Sequence, residues 1–154
     1  MDKEELNGIM EYEYKRVTTG ESKQILEFGI QIKIENDDYT KWEITMKAPD
    51  DSDYKGAKYT LIAEFQLEYP LTNPIFKFKS DFYHCNVDKE GNLKVNWLLK
   101  GMKIDYILPR LLTLFYLQDT EAYKDSERSK LYENNKEQFM ENVKKNVEEN
   151  KCDD

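Results

Sequence analysis

Tyr83-His84-Cys85-Asn86-Val87-Asp88-Lys89-Glu90-Gly91-Asn92-Leu93-Lys94 lies within residues 80–106, a stretch that keeps neither a strand's period of two nor a helix's period near 3.6. Its Asn, Asp and Gly residues supply turn chemistry, so 80–106 is read as one long, ordered loop. Loops of that length inside a compact domain are commonly functional. The elements on either side of it decide the fold.

On the N-terminal side the chain alternates. Phe28, Ile30, Ile32 and Ile34 interleave with Gly29, Gln31, Lys33 and Glu35, which predicts a half-buried strand. Asn36-Asp37-Asp38 is a turn; Trp42, Ile44 and Met46 alternate again. After a loop at Pro49-Asp50-Asp51-Ser52-Asp53, Tyr59, Leu61, Ala63, Phe65 and Leu67 predict the longest strand, and Ile75 to Lys79 a shorter fourth. Short connections favour an antiparallel meander. Residues 2–17 carry Leu6, Ile9, Met10, Tyr14 and Val17 at helical spacing, and Thr18 to Ser22 should break that helix.

On the C-terminal side, Ile107 to Leu117 is densely apolar and predicts a buried helix with Pro109 in its first turn. Ser126 is placed to cap one final helix through about Glu149, with Leu131, Tyr132, Phe139, Val143 and Val147 on one face. Cys152-Asp153-Asp154 reads as a frayed end. Helix, four strands, long loop and two helices make an α+β class, read as a single domain over 1–154.

Composition narrows the function. A net charge of −8 argues against nucleic acid and anionic membranes as partners. No apolar run approaches the ~18–20 residues of a membrane span, and Met1-Asp2-Lys3-Glu4-Glu5 lacks the features of a secretion signal. Two separated cysteines, Cys85 and Cys152, imply no disulfide framework, and His84 as the sole histidine leaves too few ligands for a conventional zinc site. No cofactor is indicated, and cytoplasmic or nuclear residence is the expectation.

Four segments resemble, in register, those of the ubiquitin-conjugating enzyme family. Trp42 to Pro49 with Asp51-Ser52-Asp53-Tyr54-Lys55-Gly56 is similar to the family's strand, Gly-Pro turn and Ser-Pro-Tyr-x-Gly loop. Tyr69-Pro70-Leu71-Thr72-Asn73-Pro74 resembles its Tyr-Pro-x-x-Pro-Pro segment, and Tyr83-His84-Cys85-Asn86 its Tyr-His-Pro-Asn. In that family a nucleophilic Cys follows the Asn by eight residues; the residue eight after Asn86 is Lys94. The resemblance covers residues 2–149 and implies the family's fold. Its expected partners are ubiquitin or a ubiquitin-like modifier, an active conjugating enzyme, an activating enzyme or a ligase.

Two branches compete. Asp88 to Asn92, Asn96, Asn134-Asn135 with Phe139, and Asn142-Val143 resemble the neddylation branch. Gln24 to Glu35 feeding into Tyr39-Thr40-Lys41-Trp42 is similar to the non-catalytic conjugating-enzyme variants. Met102-Lys103-Ile104-Asp105 replaces the family's Trp and Ser-Pro-Ala before the buried helix, and Leu71 replaces an aromatic; Leu71, Lys103 and Ile104 are the partner-contact candidates, together with the sheet face. The first helix carries Asp2, Glu4, Glu5, Glu11 and Glu13 against Lys3, Lys15 and Arg16, where active members present basic residues to the activating enzyme.

The family positions bear on chemistry as follows. A thiolate both attacks and leaves well, whereas a lysine amine with an ordinary pKa of about 10.4 needs activation and then forms an amide that does not pass its acyl group on. Lys94 therefore cannot sustain transfer, and is either a dead-end acceptor or a deliberate substitution of the family's Cys that traps a stable mimic of the charged complex. Asn86 matches the residue that supports the tetrahedral intermediate or orders the loop; its structural alternative is a loop Asn bonded to backbone. Cys85 is either a relocated nucleophile beside His84 or a small apolar filler. His84 is read as a packed, hydrogen-bonded residue. The leading expectation is a non-catalytic binding member, a pseudoenzyme; the alternative is an active enzyme whose Cys is replaced by Lys94 or has moved to Cys85.

Overall fold

A computed structural model describes residues 1–152. Helix α1 (Lys3–Thr19) leads into a 3-10 segment (Glu21–Phe28) and strands β1 (Ile30–Lys33), β2 (Lys41–Lys47), β3 (Lys58–Glu64) and β4 (Ile75–Phe78). Beyond the long loop stand α2 (Ile104–Leu111), a 3-10 turn (Leu112–Phe115), α3 (Glu127–Asn134) and α4 (Lys136–Glu149). The strands form one antiparallel sheet in the order β1-β2-β3-β4, the expected meander.

Register sets Ile44 opposite Ile32 and Leu61, and Leu61 opposite Phe78. Because strand side chains alternate, Trp42, Ile44, Met46, Tyr59, Leu61 and Ala63 share the inner face and are fully buried. The rings of Tyr54, Tyr59, Phe82 and Phe115 meet above that face with centroids between 4.2 and 6.0 Å apart. This aromatic cluster joins the sheet to the segment after β4 and the turn after α2, and is the floor beneath the long loop. Asn146 of α4 completes the attachment: its Oδ1 accepts from the Tyr59 hydroxyl at 2.8 Å and its Nδ2 donates to the Asp81 carbonyl at 2.7 Å.

Several boundaries differ from the sequence expectation, each for a local reason. Helix α1 continues through Thr18 and Thr19, whose hydroxyls donate to the Tyr14 and Lys15 carbonyls, and it stops at Gly20. Ile9 faces solvent instead of the core. Phe28 is exposed in an unforeseen 3-10 segment, so β1 starts at Ile30. Strand β3 ends at Glu64, no longer than β2; Phe65 stays buried, but Leu67 is exposed.

Helix α2 begins at Ile104, which places Pro109 in its sixth position, not its first turn. A proline there has no N–H for the Asp105 carbonyl, and the helix tightens into the 3-10 turn three residues later. The final helix is two. Ser126 caps α3 as expected, accepting from Ser129 N–H at 3.2 Å, but Asn135 leaves helical geometry (φ −152°, ψ 73°) and caps α4 by accepting from Gln138 N–H. The expected fray is absent at Cys152, whose N–H donates to the Gly56 carbonyl at 2.7 Å while Lys151 bridges Ala57. Asp153 and Asp154 lie outside the described residues.

Candidate functional site

The loop that carries the motif is laid along the edge of β4. Phe78 N–H donates to the Gly91 carbonyl at 2.8 Å, and Leu93 N–H to the Phe76 carbonyl at 3.3 Å. Gly91 has φ of +93°, and a Cβ there would collide with the Phe78 carbonyl, so only glycine fits this approach. Asp88 closes the preceding turn by accepting from the amides of Glu90 and Asn92. Burial works to raise its carboxyl pKa, but a bond from the Asn92 side chain at 3.0 Å together with these amides favours the charged form and holds it below the usual range.

Beneath the loop, His84 is fully buried. Its Nε2 donates to the Leu114 carbonyl at 2.6 Å and its Nδ1 accepts from Asn86 N–H at 2.9 Å, an arrangement that requires the neutral Nε2–H tautomer. Burial lowers its pKa to about 4. Arg128 of α3 clamps the other side, donating to the Phe82 and Val87 carbonyls at 2.9 Å with its guanidinium 4.9 Å from the centre of the Tyr83 ring.

Cys85 is 1% exposed. Its N–H donates to Gln118 Oε1 at 2.8 Å and its thiol lies against the Arg128 carbonyl. Burial pushes the thiol pKa up to about 11. A neutral, enclosed thiol is a poor nucleophile, so the surroundings of Cys85 suit a small apolar filler better than a relocated nucleophile.

Asn86 joins two segments. Its Nδ2 donates to the Lys94 carbonyl at 2.8 Å, its Oδ1 accepts from Asp119 N–H at 3.1 Å, and its own carbonyl accepts from Lys94 N–H at 2.9 Å. The backbone of Lys94 is thus held on both sides, while its side chain is exposed, with Nζ 5.7 Å from the centre of the Tyr123 ring. The structure therefore brings Asn86 and Lys94 together, sets His84 beneath them and turns Cys85 away toward α3. Beside them opens a cavity of about 350 Å3 lined by Asn86, Asn96, Trp97, Leu117, Gln118 and Asp119.

Gln118, Asp119, Tyr123 and Arg128 were not singled out from the sequence. The polar pair Gln118-Asp119 directly after a dense apolar run was a usable signal; the role of Arg128 depends on distant segments meeting and had none. Of the partner-contact candidates, Leu71 is 73% exposed and Lys103 is exposed, but Ile104 is fully buried as the first residue of α2. The exposed apolar side chains at this end are those of Leu99 and Tyr106. Asn73 ties the two loops, its Nδ2 donating to the Leu98 carbonyl at 3.3 Å. Among the described residues no three His, Cys, Asp or Glu side chains cluster as metal ligands would.

A helix, an antiparallel meander and an edge-pinned loop whose Asn braces the position eight residues on define the class of modifier-conjugating domains. A family model described as ubiquitin-conjugating enzyme matches residues 10–147, and the chain belongs to that family. It is 28% identical over 103 residues to a probable ubiquitin-conjugating enzyme E2 31 of Arabidopsis thaliana, covering 64% of this chain and 67% of that one. It is 37% identical over 65 residues to a probable ubiquitin-conjugating enzyme E2 7 of Caenorhabditis elegans (42% and 40%). It is 32% identical over 90 residues to ubiquitin-conjugating enzyme E2 14 of Schizosaccharomyces pombe (55% and 58%). The matched segments thus span 40 to 67% of these relatives' own lengths. Membership of the family supports a role in ubiquitin conjugation.

Proposed function

We propose that this chain is a non-catalytic member of the family that binds a ubiquitin-like modifier, an active conjugating enzyme, or both. The observation that carries this reading is Lys94 at the nucleophile position, on a backbone held firmly by Asn86. An amide formed at Lys94 would end the transfer. Cys85 is enclosed, and Cys152 belongs to the C-terminal segment paired with Gly56.

Exposed surfaces support binding. Tyr106, Arg110, Thr113, Tyr116 and Leu117 lie exposed at intervals of three or four along the outside of α2, its 3-10 turn and the two residues after it, and Leu117 lines the cavity beside Asn86. On the outer face of the sheet a cleft of about 690 Å3 surrounds Ile62 and Ile75, with Lys33, Glu43, Glu64 and Lys77 at its edges. Apolar floors with polar rims suit protein partners.

A second reading, an active neddylation-type or ubiquitin-conjugating enzyme whose Cys is replaced by Lys94, draws on the intact Asn86 brace. Lys94→Cys should then form an adduct reducible by thiol. The test of the leading reading is intact mass after incubation with activating enzyme, ATP and either ubiquitin or the neddylation modifier, with and without thiol. No adduct, together with retention of a modifier or conjugating enzyme on the immobilised chain, supports it. A thiol-sensitive adduct on the unaltered chain overturns it, and a thiol-resistant adduct mapped to Lys94 assigns that residue as a dead-end acceptor.

A further inference from the structure

Helix α1 shows solvent a surface that the fold does not account for. Glu5, Gly8, Ile9 and Tyr12 stand at i, i+3, i+4 and i+7, the four corners of one hole of the kind into which a facing helix inserts a side chain. All four are exposed, Ile9 at 42% and Tyr12 at 66%, while the helix buries a different side through Leu6, Met10 and Val17.

Gly8 is the unusual corner. Glycine is a poor residue for a helix interior, and a Cβ at this position would meet nothing within 4 Å. Neither a turn nor a packed neighbour requires it. Its effect is to deepen the hole and leave helix backbone open to close approach.

Charge selects the occupant. Glu4 and Glu5 stand at one end of the hole without an ion-pair partner among the described residues, while Lys15 is engaged by Glu11 at 2.8 Å and Lys3 lies 3.9 Å from Asp38. The whole chain carries −8, which steers cations toward it.

We propose that this hole docks a basic helical segment of a partner protein, with one arginine or lysine as the inserted side chain. Its aliphatic stem lies on Ile9 and over the Tyr12 ring, and its charged head reaches Glu5 and Glu4. An acidic or wholly apolar segment would strip water from those carboxylates without replacing it by a counter-charge.

The test is an NMR titration of the full chain with a synthetic amphipathic helix bearing arginines beside its apolar face, and with the same peptide carrying glutamate instead. The expected result is saturable shifts confined to Glu5, Gly8, Ile9, Tyr12 and their neighbours, seen with the arginine peptide only. Gly8→Leu and Glu5→Lys should each weaken binding by about tenfold or more, whereas Lys124→Ala, at an exposed position on another part of the chain, should not change it. Gly8→Leu fills the hole with a better helix former and should raise the melting temperature by about 3 °C, so its loss of binding is not a folding defect. Absent or scattered shifts, equal binding of the glutamate peptide, unchanged binding by Gly8→Leu, or a Gly8-dependent dimer in sedimentation would each overturn the proposal.

Discussion

Both ring nitrogens of His84 are engaged, one donating to the Leu114 carbonyl and one accepting from Asn86 N–H, so a second proton on the ring would break the loop's anchor. Its pKa is about 4 in the folded chain against 6.5 when unfolded, and between those values only the unfolded chain takes the proton. The contribution of neutral His84 is therefore complete above pH 6.5 and is lost as pH falls toward 4, by about 3 kcal/mol in all. Urea midpoints compared between the parent chain and His84→Gln from pH 7 to 4 should show the steeper decline in the parent. At the same scale, disulfide-exchange reagents at pH 8 should label one thiol of the native chain rapidly, with Cys85 reacting only after unfolding, as peptide mapping would show. Sequence made His84, Asn86 and Lys94 legible as one constellation because they lie in a single segment. It hid Arg128, which reaches that segment from elsewhere in the chain, and it misplaced Ile104, since an apolar residue at a loop end carries no mark of which way it faces.

Among the elements, the loop's attachment to β4 depends on one residue. Gly91→Ala would combine a left-handed backbone angle with a collision at the Phe78 carbonyl, at a cost of about 2–3 kcal/mol or more. A lower melting temperature, with faster hydrogen exchange at the Phe78 amide, is the expected outcome. Strands were legible because alternation survives in β2 and β3 over seven residues each. The division between α3 and α4 was not, because Leu131, Tyr132, Phe139 and Val143 keep helical spacing across Asn135 and the break leaves the apolar face in phase. Glu21–Phe28 escaped for a related reason: Phe28 continues the alternation of β1 in sequence while lying outside it in space.

At the level of the whole molecule, the meander and its order followed from short connections and turn residues, and the four family-like segments fell where that order required. What sequence did not disclose was surface: the cavity between Asn86 and Asp119 and the open hole on α1 exist only once separate residues meet or a helix is seen to leave one side uncovered. The C-terminal segment likewise gave no sign of its docking. Lys58 N–H donates to the Asn150 carbonyl at 3.0 Å, Lys151 pairs with Ala57, and Cys152 N–H reaches Gly56. Removing residues 150–154 should expose these β3-end partners and cost about 2 kcal/mol, measurable as a shifted urea midpoint at unchanged slope.

That clasp also determines how the domain bears tension. Traction applied at Cys152 would not fray α4 from its tip; it would pass through the antiparallel bonds at Gly56 and Ala57 into β3, an interior strand of the sheet. Anchored by this end, the protein would yield as a sheet sheared along its strands, not as a helix unwound turn by turn.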